Sequence, residues 1–260
     1  MIRTKVKDEY PELSNDFVKL AEFDKNYKKR FYGYIHFDKS ESFLGYFTTL
    51  YLMYSLQKSR DLFRGFIDCI NLKNFSLLFL STRAHLEITG SIAYFLRYLI
   101  SYYDSKIKFE EIIDLLSRLF EGTKSKLLEG TKKYPVSYQA INVLTMLNGA
   151  DKLFREKKVK LNENVIKIYG IFGTEPIRCV YELISEFCHP NFPGFIFSVE
   201  TNEENKLIFR DKLIIDENSL GMALKSIDFS LSFFFSVYDD CFSLLNKNEK
   251  MPKMFKHIHL

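Results

Sequence analysis

Tryptophan is missing from all 260 residues, and cysteine is scarce, with four at Cys69, Cys179, Cys188 and Cys241. No two of them stand in a Cys-x-x-Cys pair, which argues against a zinc finger and against a disulfide framework. Buried, reduced thiols in a cytosolic protein are the expectation instead. The missing tryptophan, beside 26 phenylalanines and 16 tyrosines, fits an AT-rich coding sequence and carries no chemistry of its own. Long apolar runs are lacking too. The two longest uncharged stretches, residues 134–150 and 42–57, have 17 and 16 residues and include polar ones. A membrane span needs about 20 predominantly apolar residues. The N-terminal stretch "MIRTKVKDEYPELSNDF" is charged where a secretory leader would be apolar. A soluble, cytoplasmic protein with no membrane partner is expected.

The usual signatures of catalysis are absent as well. There is no Gly-rich phosphate loop, since Gly170 and Gly173 form only a lone short pair. His-Glu-x-x-His and Gly-x-Ser-x-Gly do not occur, which excludes a zincin helix and a nucleophile elbow. His257 and His259 share a terminal tail, and two histidines on a tail are not a metal site. Neither a metal nor a cofactor is expected.

What the chain does have is helical periodicity. The stretch from Pro11 to about Tyr32 carries a loose apolar stripe of Leu13, Phe17, Leu20, Ala21 and Phe23. Ser40 is a candidate cap for a second helix running to Asn71, and Asn74 for a third running to about Tyr103. A fourth begins near Lys108, with Phe109, Ile112, Ile113, Leu116 and Phe120 at core spacing. A fifth carries Ile141, Leu144, Leu147 and Leu153. Thr174 and Pro176 open a sixth, which must stop close to His189 because the residue before a proline is disfavoured in the α region. "FPGFIFSVE" and "NKLIFRD" around "TNEEN" predict a β-hairpin at about 194–210, and a last helix runs from about Glu217 to Leu245. The basic tail, 248–260, is expected to fray. The expectation is one all-α domain over 1–260, a helical bundle of about six to seven helices with a small β-hairpin before the last. Its first helix lies within 1–40 and its core within 41–247.

The net charge of +4 is unevenly spread. Residues 124–160 hold nine basic and three acidic side chains, including Lys124, Lys126, Lys132 and Lys133. Such a face suits a phosphate backbone, or is simply a solvated lysine-rich surface. Two further stretches break the apolar pattern. In "STRAHLE", Arg83 and Glu87 stand one helical turn apart inside an otherwise apolar helix. Charges there are either a structural ion pair or the wall of a polar pocket. His85 between them points elsewhere, as a surface or satisfied histidine. In "YELISEFCHPNF", Arg178, Tyr181, Ser185 and His189 follow at three, four and four residues and share a helical face. A histidine in the last turn meets unpaired carbonyls and the negative end of the helix dipole, which favour its protonated form. That suits a general acid or a phosphate grip, or a histidine that only caps its own helix.

The "STRAHLE" step in a long helix, the later "YELISEFCHPN", a hairpin and a final helix together resemble the HEPN-like superfamily of bacterial domains, over about residues 41–247. The signature similar to this chain is Tyr-x-x-Leu-Ser-x-x-x-His-Pro-Asn, with Ile184 in its fourth position here. The resemblance implies a metal-independent endoribonuclease of toxin–antitoxin or phage-defence systems, working as a homodimer on RNA or a nucleotide, with an antitoxin or defence partner protein. His189 takes the place of the family's histidine. The family's arginine, separated from the histidine by four to six residues, has no match, since Glu182, Leu183 and Ile184 occupy those positions. Arg178 precedes His189 by eleven residues, roughly 16 Å along a helix. Carried over to this chain, His189 would be the general acid or base, Arg83 or Arg178 would stabilise the phosphorane, and Glu87 would orient the arginine. Tyr181, Ser185 and Asn191 would supply hydrogen bonds, and the 124–160 lysines would hold RNA backbone. The rival is a non-catalytic binding or regulatory module in which Arg83, Glu87, Ser185 and His189 form a structural polar network.

Overall fold

The computed structural model describes residues 2–36, 38, 42–120, 122, 139–156, 175–189, 199–201, 206–209 and 215–255. Its elements follow in chain order: α1 Thr4–Glu9, a 3-10 turn Pro11–Leu13, α2 Ser14–Arg30, β1 Tyr34–His36, α3 Phe43–Leu72, α4 Phe75–Tyr103 and α5 Phe109–Phe120. After these come α6 Val143–Arg155, α7 Pro176–Cys188, β2 Val199–Thr201, β3 Leu207–Phe209, α8 Glu217–Asn248 and β4 Lys253–Phe255. The class is all-α. The described residues hold eight α-helices, the short α1 being one that the apolar pattern did not announce.

Helix α4 is the axle of the bundle, packed against α3, α5, α6, α7 and α8. Its hydrophobic residues face inward around most of its girth: Leu78, Phe79, Leu86, Ile92, Ala93, Phe95, Leu96 and Leu99 are all buried. A helix surrounded on so many sides needs just such a broad apolar face. Asn74 caps it, its side chain accepting from Leu77 N at 3.3 Å. Ser42 caps α3 at 2.8 Å, two residues later than expected, while Ser40 lies outside the described residues.

Helix α8 supplies the other half of the core through Phe229, Phe233, Phe234 and Phe235, all buried. By length and composition it is the one helix among the described residues apolar enough to cross a membrane, with a mean hydropathy of 1.3 over its best window. Of that window, 72% is buried inside the bundle, so its apolar surface is occupied by helix packing.

Small residues set how closely α6 approaches α4. A Cβ on Gly90 would stand 2.8 Å from Leu147 Cδ2, and one on Gly149 would stand 2.2 Å from Tyr94 Cδ2. The hairpin is present: β2 and β3 pair antiparallel, Val199 opposite Phe209 and Thr201 opposite Leu207. The tail corrects the expectation of fraying over residues 253–255. β4 pairs antiparallel with β1, Tyr34 opposite Phe255 and His36 opposite Lys253, and the two aromatic rings stack 4.8 Å apart. Three residues of alternating exposure in a lysine-rich tail give too little pattern to reveal a partner over 200 positions away.

Candidate functional site

Arg83 and Glu87 lie one turn apart on α4, with Arg83 Nε 3.4 Å from Glu87 Oε1. Neither is sealed in the core, their side chains being 28% and 33% exposed. Tyr181 of α7 binds them both. Arg83 Nε donates to its hydroxyl at 3.1 Å, and that hydroxyl donates to Glu87 Oε1 at 2.9 Å. The guanidinium carbon also stands 5.2 Å from the centre of the Tyr181 ring. Burial alone would lower the pKa of Arg83, but the Tyr181 hydroxyl and then Glu87 more than offset it, so the cation is held firmly. Burial, reinforced by Glu87, raises the Tyr181 hydroxyl above its usual range and keeps it a donor.

The orientation of α7 comes from its first turn. Pro176 occupies the opening position, where a missing N–H costs nothing. The Glu175 side chain makes no cap bond, and Thr174, the expected cap, lies outside the described residues. Asp151 of α6 does that work from another helix, accepting from Ile177 N at 2.9 Å and Arg178 N at 3.2 Å. It is only 1% exposed, and burial pushes its carboxyl up to about 6 despite the two backbone donors. The available signal was a charged residue one turn after Leu147 on an otherwise buried stripe.

With α7 so fixed, Tyr181, Ser185 and His189 share a cleft of about 490 Å³ with Arg83 and Glu87. Glu182 and Glu186 also line it, and the facing wall is the start of α6, Asn142, Val143 and Leu144. Leu144, grouped in the sequence with Ile141, Leu147 and Leu153, is 44% exposed because it forms this wall. Ser185 donates to the Tyr181 carbonyl at 2.7 Å. His189 ends α7 as its exposed C-cap, its backbone extended at φ −91°, ψ 153°.

Arg178 does not join them. Its Nε donates to Glu182 Oε1 at 2.7 Å and its Nη1 to Asn148 Oδ1 at 3.4 Å, and it is not part of the cleft. Asn191, Lys124, Lys126, Lys132 and Lys133 lie outside the described residues. The cysteines form no disulfide. Cys188 sits beside Arg83, yet burial raises its thiol more than the guanidinium lowers it, so it is no activated nucleophile.

His85 faces the opposite side of α4 and is fully buried. Its Nε2 is 2.7 Å from Ser59 Oγ, which is 2.6 Å from the Tyr27 hydroxyl; its Nδ1 is 2.7 Å from Ser230 Oγ. The chain of hydroxyls around one imidazole thus joins α2, α3, α4 and α8. Burial pushes its pKa down to about 3 and keeps the ring neutral, without access to substrate. No group of three potential metal-binding side chains occurs among the described residues. No family model matches the chain, and neither does any curated protein or solved structure.

Proposed function

We propose that the chain is an RNA- or nucleotide-binding protein of HEPN type, with the α4–α6–α7 cleft as its binding site and metal-independent RNA cleavage as its activity. The observation that carries this reading is the meeting of Arg83, Glu87, Tyr181 and His189 along one solvent-reaching cleft. Ion pairing of Arg83 with Glu87, and of Arg178 with Glu182, offsets two of the three carboxylates in the cleft. A phosphate would approach at the Arg83 and His189 side.

In this mechanism the His189 ring takes the proton of a ribose 2′-hydroxyl or delivers one to the departing 5′-oxygen. The oxygen attacks phosphorus, the P–O5′ bond breaks, and a cyclic phosphate is left. Arg83, oriented through its Nε by Tyr181 and Glu87, stabilises the added charge on the phosphorane. Arg178, held by Glu182, takes no part. The proposal extends to a homodimer in the cytoplasm, in a toxin–antitoxin or phage-defence setting with a partner protein.

A second reading, a non-catalytic binding module, is favoured by one observation: Arg83, Glu87 and Tyr181 already satisfy one another. Single-turnover cleavage of a labelled RNA, with EDTA present, separates the two. Cleavage by the wild type that is lost in His189→Ala, with the melting temperature kept, supports the nuclease. RNA binding without cleavage in both proteins leaves the module, and cleavage that persists in His189→Ala removes the mechanism.

A further inference from the structure

Tyr102 stands nineteen residues beyond Arg83, roughly 28 Å along the axis of α4. There a second cleft of about 430 Å³ opens, lined by Tyr102, Tyr103, Ser105, Ile107, Asn248 and Glu249. Two long helices end at it, α4 after 29 residues and α8 after 32. Each brings the negative end of its dipole, where a cation is favoured. Glu249, the C-cap of α8, adds a full carboxylate and is held by a 2.8 Å hydrogen bond from the Tyr103 hydroxyl.

Two of its lining residues are aromatic, Tyr102 and Tyr103. The Tyr102 and Tyr103 rings lie 5.1 Å apart at 55°, and Phe109 stands 6.3 Å behind Tyr102. Ring faces of this kind attract positive charge. Burial and then Glu249 raise the Tyr103 hydroxyl well above its usual range, so its ring stays neutral. Ser105 takes a left-handed conformation, φ 59°, that folds the chain back so that its amide bonds the Tyr102 carbonyl at 2.9 Å. The cleft contains no lysine or arginine of its own, and the neighbouring Lys106 is held by Asp104 at 2.8 Å. A hard metal ion would call for about six oxygens or more, whereas a single carboxylate stands here.

We propose that this cleft binds an organic ammonium group, a quaternary or multiply methylated amine, with Glu249 as counter-charge and Tyr102 and Tyr103 as aromatic walls. The site is independent of the cleft around Arg83, and its test does not involve RNA.

The experiment is calorimetric titration of the full chain with choline and with 3,3-dimethylbutan-1-ol, which has the same shape without the charge. Choline should bind about 10-fold tighter than the alcohol or better, in line with one strong cation–π and carboxylate contact. Glu249→Gln and Tyr102→Leu should each weaken choline about five-fold or more, while Tyr102→Phe keeps it and checks that a ring, and not merely a folded chain, is required. Equal affinity for choline and the alcohol, displacement of choline by equimolar sodium, or absence of saturable choline binding would each overturn the proposal.

Discussion

The hydroxyl of Tyr181 sits between Glu87 and Arg83, donating to the one at 2.9 Å and accepting from the other at 3.1 Å. One phenol thereby fastens α7 to α4 and sets the direction of Arg83, the only arginine or lysine lining the cleft among the described residues. The pair on α4 alone would be an ordinary half-exposed ion pair, a weak interaction. Its geometry depends on the third residue.

Replacing that hydroxyl tests the dependence. Tyr181→Phe keeps the ring under the guanidinium but removes both hydrogen bonds, at a cost of about 1 kcal/mol. For a chain of this length the melting temperature should fall by about 2–4 °C. Nucleotide affinity should fall as well if Arg83 is the phosphate contact, and a binding titration beside the melt checks both.

Arg178 gives the contrasting case. It lies outside the cleft and pairs with Glu182 at the cleft's edge. Arg178→Ala should therefore leave the melting temperature close to wild type and weaken RNA binding only by leaving one cleft carboxylate without its counter-charge. Arg83→Ala should weaken RNA binding strongly. Measuring the two variants side by side shows which arginine serves the site.

Two buried groups make stability depend on pH with opposite signs. His85 is depressed to about 3 from an ordinary 6.5, so its contribution is complete above pH 6.5 and is lost as pH falls toward 3. Asp151 is raised to about 6 from 3.8, so its contribution is complete below pH 3.8 and is lost as pH rises through 6. Between pH 6 and 4 the two slopes oppose each other. Asp151→Asn removes one of them, and its urea-unfolding free energy should then fall more steeply with acid than that of the wild type, by about 1.4 kcal/mol per pH unit. Parallel curves for the two proteins would contradict the assignment.

The α4–α6 contact allows a graded test. Gly149→Ala drives a methyl to 2.2 Å from the Tyr94 ring, while Gly90→Ala meets the flexible end of Leu147 at 2.8 Å. Overpacking costs about 1–3 kcal/mol, and Gly149→Ala should take the larger share. Because α6 carries the Asn142–Leu144 wall, it should also disturb ligand binding, which thermal melts and titrations would report together.

Much of this architecture is legible in the sequence because its signals are local. Asn74 before an apolar run marks the start of α4, and Pro190 after His189 marks the end of α7. Arg83 and Glu87 stand out because charge is costly in an apolar helix. The parts that escape are those set by distant partners. Asp151 caps a helix that begins 25 residues later, β4 finds β1 across the whole chain, and nothing near Tyr181 betrays that its hydroxyl serves α4. His85 looked unremarkable because the hydroxyls that satisfy it come from α3 and α8, on either side of its own helix.

The hydroxyl chain around His85 also has a consequence for synthesis. Ser230, which serves the imidazole from α8, is translated 145 positions after it. A nascent chain therefore carries α4 with that flank open to water, its polar row unanswered, until the last long helix clears the ribosome. Premature termination before α8 would release a product with the apolar flank of α4 that α8 covers left open, a ready substrate for chaperones and proteases.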